Sequence, residues 1–214
     1  MNKIYLDHNA TTPVAPEVLD IVTNVLEKQV GNPSSVHSIG RSARVLVDES
    51  REHVANFIGA SPSEIVFTSG GTEANNFALL GVALGLGKGG GHIVTSQVEH
   101  PSILNPCRQL ENLGFNVDLL KVDKLGRIDL DALEDCLTES TLLLSLQHAN
   151  SETGVLQDIE KIGEIARKKG VLFHTDAVQS VGKIQVEVQD APIDMLSISA
   201  HKLNGPKGGG ALYL

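Results

Sequence analysis

From Glu64 onward, short apolar runs and segments of helical period take turns along the chain, and this alternation restricts the fold more than any other feature. The predicted strands are Glu64–Thr68, His92–Ser96, Asn116–Val122, Thr141–Leu146, Val171–His174, Met195–Ile198 and Gly210–Leu214. Between them, helices are expected at Thr72–Leu84, Pro101–Leu113, near Leu130–Leu137, and at Ile159–Lys169, the last closed by Gly170. Such alternation with apolar strand runs indicates an α/β architecture, a mostly parallel sheet flanked by helices. Two helices precede it. Pro16–Gln29 places Val18, Ile21, Val22, Val25 and Leu26 on one face, and a second runs from about Ser42 to Ile58. The expected organisation is one large domain over 1–214, with a helical segment over about 1–60 packing on it. The glycine-rich tract Gly85–Gly91 reads as a surface loop.

With 214 residues the chain can bury a sizeable core, and with 3% aromatics and no Trp that core must rest on Val, Ile, Leu and Ala. A net charge of -9 without basic blocks argues against nucleic-acid binding. No stretch approaches the roughly 18 apolar residues of a membrane span, and Met1–Asp7 lacks the apolar core of a signal peptide. Cys107 and Cys136 have neither metal-ligand spacing nor the numbers for a disulfide framework. The expectation is a cytoplasmic protein without a metal.

Polar loops follow the predicted strands, and in open α/β sheets the ligand crevice lies beyond those carboxyl ends. Lys202 stands out, in Ser199-Ala200-His201-Lys202-Leu203-Asn204-Gly205-Pro206. An amine at the edge of a buried sheet is poorly solvated as a cation, so its free base becomes available as a nucleophile. A Schiff-base lysine for pyridoxal 5'-phosphate (PLP) requires that. Thr68-Ser69-Gly70-Gly71-Thr72 reads either as a capped turn or as an anion cup opening a helix. His100 either caps its helix or faces a flat ring, and Asn150 either shapes its loop or bonds a ring hydroxyl or carboxylate. Asp176, at a buried strand end, either caps a helix or pairs with a pyridinium nitrogen, since an unpaired buried carboxylate is costly. Gln179 lies three residues on, within reach of the ring's phenolic oxygen. Together, amine, cup, imidazole, amide and carboxylate are the set that PLP needs.

Three motifs also carry a family resemblance: Tyr5-Leu6-Asp7-His8-Asn9-Ala10-Thr11-Thr12-Pro13, Gly31-Asn32-Pro33-Ser34-Ser35-Val36-His37 and the Lys202 segment. They closely resemble the cysteine desulfurases of the nitrogen-fixation and iron–sulfur-cluster class, within class V of the aminotransferases. The resemblance implies the large domain of a fold-type I PLP enzyme. It further implies a homodimer that converts L-cysteine to L-alanine and passes the sulfur as a persulfide to an acceptor or cluster-scaffold protein. By motif, Lys202 looks like the imine-forming lysine that also moves the substrate's α-proton. Gly71, Thr72, Ser199 and His201 look like phosphate ligands, and His100 like the ring-stacking residue with an acid–base role. Asp176 matches the partner of the pyridine nitrogen, Gln179 a contact to the ring oxygen, and Asn150 a contact to ring or substrate.

The expected fragment is the cofactor-binding N-terminal portion, since Leu214 falls in an apparent core strand at roughly half the family's usual length. The rest of the large domain, the small C-terminal domain, the substrate-carboxylate arginine and the persulfide cysteine would lie elsewhere, in a missing segment or a separate chain. Cys107 and Cys136 both read as helix packing residues. Other readings are a selenocysteine lyase or cystine/cysteine lyase of the same fold, or a non-catalytic half that scaffolds a longer partner.

Overall fold

The computed structural model describes residues 4–214, so expectations falling on residues 1–3 lie outside it. Seven strands form a single sheet: β1 (Ile65–Thr68), β2 (His92–Ser96), β3 (Asn116–Leu120), β4 (Thr141–Gln147), β5 (Leu172–Asp176), β6 (Met195–Ser199) and β7 (Gly210–Tyr213). Their order is β1-β7-β6-β5-β4-β2-β3. β7 runs antiparallel to both neighbours, and the remaining pairs are parallel. The sheet is therefore mixed but dominated by one strand direction, and the ends of β2, β4, β5 and β6 open on one side.

Six helices, α1 (Pro16–Lys28), α2 (Ser38–Phe57), α3 (Gly71–Leu86), α4 (Pro101–Asn112), α5 (Leu130–Cys136) and α6 (Ile159–Lys169), accompany the sheet. The period-two geometry of strands divides the core in two. Ile93, Leu143, Met195 and Leu212 face α3 and α4, meeting Ala78, Leu79, Ile103 and Leu110. Their sequence neighbours Val94, Leu144, Leu196 and Ala211 face the other layer, with Ala55, Leu133, Ile162 and Phe173. Strands covered on both faces explain why they read as continuous apolar runs rather than alternating ones.

Local chemistry sets the boundaries where they depart from the expected ones. α2 begins at Ser38, four residues before the expected Ser42, because His37 caps it: Nδ1 accepts from the Gly40 amide at 3.2 Å. Gly40 is buried there, and a Cβ would meet Ser35 O at 2.4 Å, so the close turn requires glycine. β5 extends to Asp176 because its parallel register with β4 continues to Gln147 opposite Asp176. β3 ends at Leu120, and Val122 instead bridges to Ile128. α1 has the expected amphipathic face, but none of its residues is buried, and Leu19, Ile21 and Leu26 are exposed.

Phe173 is fully buried in β5 among the large side chains of the α6 layer. Phe173→Ala is expected to lower stability by about 3–5 kcal/mol, read as a fall in urea midpoint, because a close-packed parallel sheet relaxes poorly around a void.

Candidate active site

The carboxyl ends of the parallel strands open into a cavity of about 1000 Å³, lined among others by Gly71, Thr72, His100, Asp176, Ser199 and Lys202. His201 and Gln179 also line it. The fold thus brings residues spread over more than a hundred positions to one place.

Lys202 ends a 3₁₀ turn, Ala200–Lys202, which follows β6 directly. The turn closes tightly, Leu203 N and Gly205 N both donating to Ala200 O at 2.9 Å. A Cβ on Gly205 would stand 2.8 Å from that oxygen. Its outer side is laced to the N-terminal segment. Thr12 N donates to His201 O at 2.9 Å, Ala15 N to Asn204 O at 2.9 Å, and His201 Nδ1 lies 3.1 Å from Thr11 Oγ1. The Lys202 ammonium donates to the carbonyls of Asn9 and Ala10. Its pKa is lowered, first by burial and then by the charge of Lys183, against the opposing pull of Asp176 and Asp7. His201 is lowered too, by burial and then by the Lys202 and Lys207 charges.

Asp176 is buried at 7% exposure with no lysine or arginine in contact among the described residues. Burial raises its pKa; hydrogen bonds from Asn75 and the Val178 amide, with the charges of His100 and Lys202, oppose that rise. A hydrogen-bonded chain runs from it to the imidazole. Asn75 Nδ2 donates to Asp176 Oδ2 at 2.7 Å and to Ser102 Oγ at 2.8 Å. Ser102 Oγ lies 2.7 Å from His100 Nδ1, which also accepts from Ser102 N at 3.1 Å. Because Nδ1 accepts from the Ser102 amide it carries no proton in the neutral His100 ring; the Ser102 hydroxyl therefore donates to it, and the ring proton is assigned to Nε2. The Oδ1 of Asn75, also buried, has no hydrogen-bond partner among the described residues.

α3 opens on the same cavity. Its N-cap is Gly70, at φ 150°, which offers no side-chain cap, whereas α2, α4, α5 and α6 are all capped by side chains. Unpaired amides at a helix N-terminus attract anions. A Cβ on Gly71 would come within 2.6 Å of Val178 Cγ2 and 3.5 Å of Ser199 Cβ, so backbone, Asp176 loop and β6 end meet closely here.

Two expected residues are placed otherwise than the sequence implied. Asn150 does not line the cavity. Its Oδ1 accepts from Glu152 N and Thr153 N at 2.9 Å, and its Nδ2 donates to Val98 O at 3.2 Å, so the side chain builds its own loop. Gln179 lines the cavity, but its Nε2 donates to Asn9 O at 2.9 Å and its Oε1 accepts from Lys183 at 2.7 Å. The sequence reading missed Asn75, Gln147, Asn9 and Thr11, all of which line the cavity. The signal for the last two was the aperiodic polar run Asp7–Thr12. Neither cysteine lines it. Burial pushes the Cys107 thiol up to about 12 and, with Asp118 adding to it, that of Cys136 to about 11.

An amine, a buried carboxylate, an imidazole and uncapped helix amides thus border one cavity. The aminotransferase class-V family model matches residues 4–214, and the chain belongs to that family. It is 50% identical over 212 residues to cysteine desulfurase IscS of Dictyoglomus turgidum, covering 99% of this chain and 54% of that protein. With the putative cysteine desulfurase IscS 1 of Bacillus subtilis it shares 46% identity over 213 residues, 100% of this chain and 56% of the relative. The chain spans about half the length of the curated relatives it matches. Among solved structures, SspA in complex with cysteine superposes with a TM-score of 0.96 at 42% identity, covering 99% of this chain and 61% of that one. A NifS-like protein gives a TM-score of 0.96 at 40% identity, covering 100% and 59%.

Glu99, buried at 5% exposure, meets the cavity residue Gln147: its Oε1 accepts from the Ser96 hydroxyl at 2.6 Å and its Oε2 from Gln147 N at 2.9 Å. Burial, helped by the charge of Asp176, raises its pKa to about 8 against those two hydrogen bonds. The folded state therefore holds a proton that the unfolded chain releases near 4.5, and the stability it confers is lost as pH rises from about 4.5 through about 8. Glu99→Gln removes the titration while its Oε1 can still accept from Gln147 N and its Nε2 can donate to the Ser96 hydroxyl oxygen. Urea unfolding across that range is expected to show the variant gaining on the parent by up to about 1.4 kcal/mol per pH unit. A constant difference at all pH values would refute this.

Proposed function

We propose that this chain is the coenzyme-binding portion of a PLP-dependent cysteine desulfurase, converting L-cysteine to L-alanine and an enzyme-bound persulfide sulfur. The observation that carries the reading is the convergence of Lys202, buried Asp176 and the uncapped start of α3 on one cavity. When bound, PLP supplies an aldehyde that condenses with amines and a protonated ring that accepts electrons. The residues present suit it. Asp176, buried without a basic partner, would hold the ring-nitrogen proton, and Asn75 and the Val178 amide keep its carboxylate oriented. The amides of Gly71 and Thr72, with Ser199 and His201 alongside, would hold the phosphate.

Lys202 has the lowered pKa a nucleophilic amine needs, and two backbone carbonyls aim its Nζ. As free base it would take the proton from the substrate α-carbon. His100, its Nε2 protonated and its ring on the cavity wall, would stack on the coenzyme and return a proton to the product. Cysteine as substrate is supported by the similarity to SspA, whose solved structure is a complex with cysteine. A homodimer belongs to the same proposal, and the uncovered apolar face of α1 supports it. So does a separate sulfur acceptor or cluster-scaffold protein, and a reducing, cytoplasmic setting in which Cys107 and Cys136 stay thiols.

With both thiols away from the cavity and raised in pKa, neither Cys107 nor Cys136 is the sulfur-accepting thiolate. A second reading is compatible with that observation: a selenocysteine or cystine lyase of the same fold, whose elimination chemistry needs no such thiolate. Product analysis with cysteine, selenocysteine and cystine separates the two.

PLP added to the protein is expected to give a visible absorbance band, and borohydride to fix the coenzyme's mass on the peptide containing Lys202. Lys202→Ala should keep its circular dichroism, lose the band and trapping, and lower any turnover by about 10²–10⁴-fold. Trapping on another lysine, or an unchanged band in Lys202→Ala, would rule the reading out.

A further inference from the structure

At the pole of the sheet opposite the cavity, three side chains from three elements meet. His92 opens β2, Asp118 lies on the edge strand β3, and Cys136 is the last residue of α5. His92 Nε2 is 3.1 Å from Asp118 Oδ2, and Cys136 Sγ is 3.5 Å from the same oxygen. The three ligand atoms all lie within 4.8 Å of one another.

The surroundings are built around the imidazole. The β2–β4 register shifts between His92 and Ile93, setting His92 opposite Thr141; such irregularities re-aim a side chain. Thr141 Oγ1 then holds His92 Nδ1 at 2.8 Å, the outer hydrogen bond that metal-bound histidines normally make. Nε2 is left turned toward the carboxylate and the thiol. The His92 side chain is 7% exposed and that of Asp118 65%, so an arriving ion would reach a fixed, buried nitrogen from the solvent side. Neither lysine nor arginine pairs with Asp118 among the described residues.

We propose that His92, Asp118 and Cys136 form a binding site for a borderline-soft divalent cation of the zinc type, with water as fourth ligand. Nitrogen, oxygen and sulfur donors together suit Zn²⁺ or Co²⁺ rather than Mg²⁺ or Ca²⁺. Bond lengths of about 2.0–2.3 Å imply ligand separations of roughly 3.3–3.6 Å in a tetrahedron, so two of the three edges are already close. On binding, His92 gives its Nε2 lone pair with the ring proton on Nδ1, and the Cys136 thiol proton passes to solvent as the sulfur–metal bond forms. Carboxylate and thiolate together neutralise the ion. The bound ion ties edge strand β3 and the end of α5 to β2, far from the cavity and independently of the function proposed above.

The test is titration of the full chain with Co²⁺ alone, followed by competition with Zn²⁺. One equivalent is expected to bind with a thiolate-to-cobalt charge-transfer band and four-coordinate d–d bands, both bleached by Zn²⁺, and Zn²⁺ should raise the melting temperature. Cys136→Ser should erase the sulfur band, and it and Asp118→Asn should each weaken binding by at least about tenfold. Asp118 is solvent-exposed and Cys136 half-buried, and circular dichroism checks that both variants fold. A cobalt spectrum without a sulfur band, or equal binding by wild type and both variants, would overturn the assignment.

Discussion

The site depends on a carboxylate left only 7% exposed on the wall of the cavity. Asp176 ends a central parallel strand, and the sheet that buries it provides dipolar donors but no cation in contact. Such a group costs several kcal/mol in its charged form unless something positive meets it. The charges that favour its ionised form, His100 and Lys202, stand across the cavity. In the function proposed above, a protonated heteroaromatic nitrogen would supply the missing partner. The Lys202 amine, the His100 imidazole and the first residues of α3 border the same cavity.

The second constraint is the chain's own beginning. Asn9 to Ala15 has no regular structure, yet it carries much of the positioning of the Lys202 turn. Thr12, Ala15 and Asn204 stitch the two segments together, and the carbonyls of Asn9 and Ala10 receive the lysine's protons. A reactive amine at the end of a flexible side chain otherwise samples many rotamers; donors and acceptors that hold it in one geometry lower the entropy cost of each reaction step. The N-terminal motif thus has a physical task, where in the sequence it served only to mark a family.

What the sequence made legible follows from how local each signal is. Strand ends can be read from apolar runs, so the sequence alone sets Gly71, Asp176 and Lys202 at one edge of the sheet. Asn75 could not be, because its meaning depends on packing that joins it to Asp176, a separation of 101 residues. The link from Lys202 to Asn9 spans 193. Asn150 shows the limit of local context, since an asparagine that builds a loop and one that touches a ligand look the same in sequence. The His92–Asp118–Cys136 group was invisible because no motif spacing connects residues that only edge-strand pairing brings together.

The central claim is that Asp176 keeps a coenzyme ring nitrogen protonated. Nitrogen-15 NMR of the protein loaded with ring-labelled PLP measures this directly. The account predicts a pyridinium resonance at neutral pH in the wild type and a shift to the unprotonated position in Asp176→Asn. An unprotonated nitrogen in the wild type, or the same resonance in both proteins, would contradict it.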